Sequence, residues 1–157
     1  MARLQPSATE LTDTFWEATR TGTYLVQWCA PCETPIFYPR EACPTCLSAE
    51  GLEWRRSAGT GTVHAASVQH RPANPTMADR VPYVVALIDL DAGAAGSSAS
   101  SPLQTVRIMS NVVNSDPYSV KVGDPVTLAW EPLTDGRNLP VFEARPRQAI
   151  DESTEAG

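Results

Sequence analysis

The sequence predicts a mainly β protein: one N-terminal helix, a metal-binding ribbon, then a five-stranded barrel. Three observations lead there. Two C-x-x-C pairs, Cys29-Ala-Pro-Cys32 and Cys43-Pro-Thr-Cys46, lie ten residues apart and hold all four cysteines of the chain. Five segments with strand patterning follow, divided by turn residues. Fourteen prolines against nine glycines favour loops and strand ends over long helices.

The helix is expected over residues 8–20, inside an N-terminal unit of 1–22. Ser7 or Thr9 is placed to cap it, with Glu10 in the first turn. Leu11, Phe15 and Ala18 or Thr19 recur at helical spacing, and Trp16 widens the apolar stripe. Gly22 ends it. The Phe-Trp face must be buried, either on its own domain or on another subunit.

Residues 23–57 are expected to form the ribbon. Tyr24–Trp28 leads as a strand into the first pair, Ile36–Tyr38 leads to the second, and Leu52–Trp54 leads out. Each C-x-x-C turn presents two thiolates from a tight knuckle, and two knuckles close a tetrahedral four-sulfur cage, the environment Zn²⁺ prefers. Four protein ligands leave no open coordination position, so the ion is structural. Four-thiolate iron, a redox pair and two disulfides stay open as alternatives. Glu33 and Leu47 occupy the positions after each second cysteine, where a positive φ is needed and glycine is usual.

Residues 58–147 are expected to form the barrel. Thr60–Gln69 alternates. Pro82–Leu90 is apolar on both faces. Leu103–Met109, Pro125–Trp130 and Leu139–Ala144 follow, with a short helix or turn near Asp116–Val120. Five strands with that insertion between the third and fourth match the OB barrel. The outer face of the Pro82 strand needs cover from the ribbon, the helix or a partner. Ala92–Ser101 is low-complexity and reads as a flexible hairpin tip. Residues 148–157 read as a disordered acidic tail.

Composition narrows the function. The net charge is −6 and Lys121 is the only lysine among twelve basic residues, so binding to phosphate backbones lacks its electrostatic contribution. No apolar run approaches the ~20 residues of a membrane span. No h-region marks a signal peptide. A soluble, cytoplasmic chain is expected, with no nucleic acid and no membrane as partner. No Ser-His-Asp order, phosphate loop or dinucleotide glycine motif can be assigned. His64 reads as a strand residue. His70 and Arg71 open a loop to Val81, a plain connection or a contact for an anionic ligand. Carboxylates at strand ends and turns are in their ordinary places. The catalytic set is therefore empty, which points to a non-catalytic subunit. Leu11, Phe15, Trp16, Tyr83 and Val85 are the candidate partner interface.

Several strings together resemble one family: Phe15-Trp16-Glu17, Trp28–Cys32, Pro39–Cys46, Leu52-Glu53-Trp54, Gly59–Val63, Val68–Pro72, Pro82–Ile88, Ser110–Val113 and Val122–Val126. Over roughly residues 10–145 they resemble the OB-fold, acyl-CoA-associated family with an N-terminal rubredoxin-like zinc ribbon, long known as domain of unknown function thirty-five. The resemblance implies a thiolase-superfamily partner that carries the chemistry and binds most of the acyl-CoA substrate. Family assemblies include an acetyltransferase complex for acyl-phloroglucinols, a thiolase of aromatic degradation and the aldolase that removes steroid side chains as propionyl-CoA. It implies an accessory role: supporting assembly and shaping the acyl-CoA entrance of a carbon–carbon lyase, with a retro-aldolase of steroid side chains as first expectation. A thiolase or acetyltransferase complex and an OB-type single-strand binder are the alternatives. The Ala92–Ser101 stretch departs from the short turn usual in the family.

Overall fold

The computed structural model describes residues 3–92 and 104–145. The expected Ala92–Ser101 hairpin tip, apart from Ala92, and the 148–157 tail lie outside them. In chain order the elements are α1 (Asp13–Thr19), β1 (Leu25–Cys29), β2 (Thr34–Ile36), β3 (Leu52–Arg56), β4 (Thr60–Gln69), a 3₁₀ helix (Pro75–Arg80), β5 (Tyr83–Asp91), β6 (Thr105–Val113), β7 (Pro125–Pro132) and β8 (Asn138–Ala144).

The first three strands form an antiparallel sheet in the order β2-β1-β3. The other five close a barrel in the order β4-β5-β6-β8-β7, with β7 returning to β4 through Thr60↔Thr127. Among the described residues only β6 and β8 pair in parallel, at Val112↔Phe142 and Val113↔Glu143. This is the OB arrangement expected from the sequence. Closure removes the free edges that an open sheet would expose.

Period-2 patterning accounts for the barrel interior. Along β5, Val84, Ala86, Ile88 and Leu90 point inward and are buried. Val106, Ile108 and Val112 of β6 face them, and Val63, Val126 and Phe142 complete the cluster. Tyr24 and Val26 of the ribbon belong to the same cluster. Ribbon and barrel therefore share one core.

The helix is shorter than its 8–20 expectation, and its N-cap is Thr12 rather than Ser7 or Thr9. The Thr9 carbonyl accepts from the backbone of both Thr12 and Asp13, at 2.9 and 2.8 Å, and the Thr9 N–H donates to Thr12 Oγ1 at 3.0 Å. These threonines close a turn that competes with the helical ladder. Gly22 ends the segment as expected, at φ +67°. Phe15 turns inward, edge-on to Tyr24 at 5.2 Å between ring centroids. Thr19 is fully buried and clamped by β8: Asn138 Nδ2 donates to the Thr19 carbonyl at 2.7 Å, and the Asn138 N–H to Thr19 Oγ1 at 3.2 Å.

Other boundaries moved for local reasons. β2 lies at Thr34–Ile36, so Phe37 and Tyr38 follow the strand instead of forming it. β6 covers Thr105–Val113, reaching past Met109 because its inward alternation runs on through Val112. The 71–81 loop contains a 3₁₀ helix that buries Met77, capped where Asn74 Oδ1 accepts from the Thr76 N–H at 3.0 Å. The 116–120 segment is a turn: the Ser119 N–H donates to the Asp116 carbonyl at 3.0 Å.

Gly61 lies at a close approach of β4 to β5. A Cβ there would stand 2.7 Å from the Asp89 carbonyl oxygen and 3.0 Å from Ile88 Cγ2. Backbone cannot yield as a flexible side chain can. Gly61→Ala is expected to cost about 2 kcal/mol or more, read from the urea midpoint. A cost below about 0.5 kcal/mol would show that this approach is not tight.

Candidate functional site

Cys29 ends β1 and Cys32 follows in the next turn. Cys43 and Cys46 lie in the second turn, before β3. Their four sulfurs all lie within 4.8 Å of one another. Cys29 Sγ is 3.8 Å from Cys46 Sγ, and Cys43 Sγ is 4.0 Å from Cys32 Sγ. A tetrahedral ion with metal–sulfur bonds of about 2.3 Å requires sulfurs about 3.8 Å apart. A disulfide requires about 2.05 Å, and all four cysteines are free thiols. The donor set fits a four-thiolate metal ion and does not fit two disulfides.

The knuckles are built by backbone. The Leu47 N–H donates to the Cys43 carbonyl at 2.8 Å, and the Glu33 N–H to the Ala30 carbonyl at 3.3 Å. Glu33 and Leu47 adopt φ of 50° and 62°. These are the two positions at which the spacing called for a positive φ. Backbone N–H groups of Cys46 and Thr45 hold the Cys43 thiol down to about 6. Hydrogen bonding to Cys46 and Cys29 pushes Cys32 up to about 12, and burial raises Cys29. Four thiols this close oppose one another's ionisation, and a divalent cation removes that opposition.

Apart from this centre, a cleft of about 470 Å³ runs between ribbon, helix and barrel. Its walls include Trp16 from α1, Trp54 from β3, Tyr83 and Val85 from β5, and Met109 from β6. Phe37 and Tyr38, with ring centroids 4.1 Å apart, form part of the ribbon side. Arg3 is the one charged residue among the lining residues. Met109 is 65% exposed and Leu87 is 37% exposed. They pair across β5 and β6, so the apolar stripe of the barrel exterior continues out of the cleft. It ends at a polar cluster: Arg107 Nε donates to Asp89 Oδ1 at 2.8 Å, and Arg107 Nη2 lies 2.9 Å from His64 Nδ1. The Arg107 hydrogen bond holds Asp89 below the usual carboxylate range.

Of the residues expected at an interface, Trp16, Tyr83 and Val85 line the cleft. Phe15 lines it too, but it also packs on the core. Leu11 is half-buried and lies off the cleft wall. Trp16 sits under Arg137, whose guanidinium carbon is 5.1 Å from the ring centroid. His70 is exposed, 5.9 Å from Tyr118 between ring centroids, and neither it nor Arg71 lines the cleft. Sequence reasoning missed Arg3, Tyr38, Trp54 and Met109. Met109 carried a signal, as an outward apolar residue alternating with buried Ile108. Arg3 carried none.

Fold and thiol cluster together define a zinc-ribbon type of OB-fold protein. The model of the "ChsH2, rubredoxin-like zinc ribbon domain" matches residues 16–53, and that of the "ChsH2, C-terminal OB-fold domain" matches 54–131. The chain belongs to this family, the DUF35 proteins. A "DUF35 domain-containing scaffold protein" of Methanothermobacter thermautotrophicus is 31% identical over 107 residues, 68% of this chain and 71% of that protein. A Thermomonospora curvata protein named "Probable enoyl-CoA hydratase alpha subunit" is 34% identical over 142 residues, 88% of this chain. The chain spans 39% of that protein's length. The solved "Ltp2-ChsH2(DUF35) aldolase" contains a chain 30% identical, with a TM-score of 0.73, over 89% of this chain and 98% of that one.

A leucine at φ 62° stores strain that glycine would not, and Leu47 is 79% exposed, so its side chain buries little. Leu47→Gly is expected to stabilise the metal-loaded chain by up to about 1 kcal/mol, read as a higher Tm. A lower Tm would mean that the side chain holds the knuckle.

Proposed function

We propose that this chain is a non-catalytic accessory subunit of a thiolase-like acyl-CoA carbon–carbon lyase, a retro-aldolase of steroid side-chain degradation. One observation carries the reading: the chain matches 98% of a chain from a solved aldolase complex at 30% identity. The scaffold naming of the archaeal relative supports the accessory role. So does the protein's own surface. The Leu87–Met109 pair extends the apolar side of the cleft and ends at the Asp89–Arg107 pair, as an interface core ends at its polar rim.

In this reading the partner carries the reacting groups and most of the acyl-CoA contacts. The present chain orders the complex and forms one wall of the approach to it. The proposed docking surface comprises Trp16, Tyr83 and Val85, extended by Leu87 and Met109. A thiolase or acetyltransferase complex is the second reading, because the scaffold relative carries no lyase name. An acidic chain whose cleft holds a single arginine offers little to a single-stranded nucleic acid. No helix among the described residues is long and apolar enough to cross a membrane.

The metal in this reading is one structural Zn²⁺ on Cys29, Cys32, Cys43 and Cys46. Elemental analysis is expected to find one zinc per chain, and Cys43→Ser is expected to lose it and unfold the ribbon. Iron in its place, or no metal in the native chain, would contradict the assignment. Structural zinc contributes on the order of 10 kcal/mol to such modules.

Assembly is tested on the exposed stripe, where substitutions spare the core. Leu87→Asp and Met109→Asp are each expected to weaken complex formation by about 2 kcal/mol or more, measured by sedimentation of the mixed subunits, with the Tm of the lone chain little changed. Unaltered assembly would move the interface elsewhere. Full activity of the thiolase-like neighbour alone would end the accessory reading.

A further inference from the structure

We propose that the cleft between ribbon and barrel binds a monoanionic amphiphile: a small acid with an apolar body and a single negative end. The apolar part follows from the walls. Trp16, Tyr38, Trp54 and Tyr83 present aromatic rings, with Val85 and Met109 between them. A volume of about 470 Å³ at the junction of two modules has the size and the place of a small-molecule site.

The charge follows from Arg3. It is the one charged residue of the lining, in a chain of net charge −6. Its side chain is only 11% exposed. Nη2 donates to Asn111 Oδ1 at 2.6 Å, and Asn111 is itself fixed by donating to the Val84 carbonyl at 2.9 Å. Nε is buried and faces Glu131 Oε2 at 3.4 Å without forming a hydrogen bond. The nearby carboxylate is shared: Glu131 stands 2.5 Å from Arg80 and 3.4 Å from Arg3. Two guanidinium groups against one carboxylate leave a net positive charge on the cluster, and Arg3 is its buried member on the cleft wall. A buried cation is costly unless an anion meets it. A coenzyme A or nucleotide moiety carries several charges and would need several cations. One arginine suits one carboxylate or sulfonate.

Fluorescence titration of the full chain tests this with two probes of similar shape. 8-Anilinonaphthalene-1-sulfonate carries one negative charge, and N-phenyl-1-naphthylamine carries none. The anion is expected to saturate at one per chain. Arg3→Gln is expected to weaken it about tenfold, as loss of a charge-assisted contact does, and to leave the neutral probe within about twofold. Met109→Glu, at an exposed position of the wall, is expected to do the same without touching the Arg3 contacts. The inference is overturned if the anion does not saturate at one site. It is also overturned if neither variant changes anion binding, or if both probes weaken equally. Binding is read on the lone chain and assembly on the mixture, so this inference and the accessory-subunit reading fail separately.

Discussion

The structure depends on one packing event, the entry of the ribbon's first strand into the barrel's core. Tyr24 and Val26 are buried in the same cluster as Val84, Ile88 and Phe142. Burial of each such side chain contributes about 1.5–3 kcal/mol, and the two together oppose any swing of the ribbon on the barrel. Tyr24 also receives Phe15 edge-on, so α1 is held by the same contact. Burial raises the Tyr24 phenol well above its ordinary range, and it stays neutral at any physiological pH. From this junction the chain runs out to Cys29 in a single strand, which β2 and β3 flank, so the thiol cluster is carried by the sheet that the shared core anchors.

That junction also shapes the surfaces on which function turns. The cleft exists because the ribbon meets the barrel at an angle that Trp16, Tyr38 and Met109 do not fill. Its walls come from separate parts of the chain, from Arg3 to Pro140, and none of them makes a site alone. The metal centre lies at the far end of the ribbon from the shared core, in a second small cluster of Cys29, Cys32, Cys43, Ile36 and Leu52. Its role is to close the knuckles where the hydrophobic core does not reach. A protein so divided, with one centre for folding and one apolar surface for contact, suits a part that organises another protein's chemistry.

Much of this was legible in the sequence. The cysteine spacing implied a four-sulfur cage, and the structure brings the four sulfurs within 4.8 Å of one another. The need for positive φ at Glu33 and Leu47 could be read despite the missing glycines, because knuckle geometry demands it whichever residue stands there. Strand β4 was bounded correctly, because Gly59 and His70-Arg71-Pro72 punctuate it at both ends. What could not be read were competitions between local bonds. Thr9 and Thr12 made a turn where helix was expected, and Asn74 capped a 3₁₀ helix inside a presumed loop. The cleft was invisible for another reason. Arg3 reaches Asn111 across 108 positions of sequence, and no local pattern announces such a contact.

The central claim is that ribbon and barrel form one cooperative body through Tyr24 and Val26. Native-state hydrogen exchange, followed with the metal bound and after its removal by a chelator, tests this most directly. Protection in β1 and in the barrel strand β5 is expected to fall together when the metal is taken away, because both belong to one core. Loss of protection in β1 with β5 unchanged would contradict it and would show two modules that merely touch.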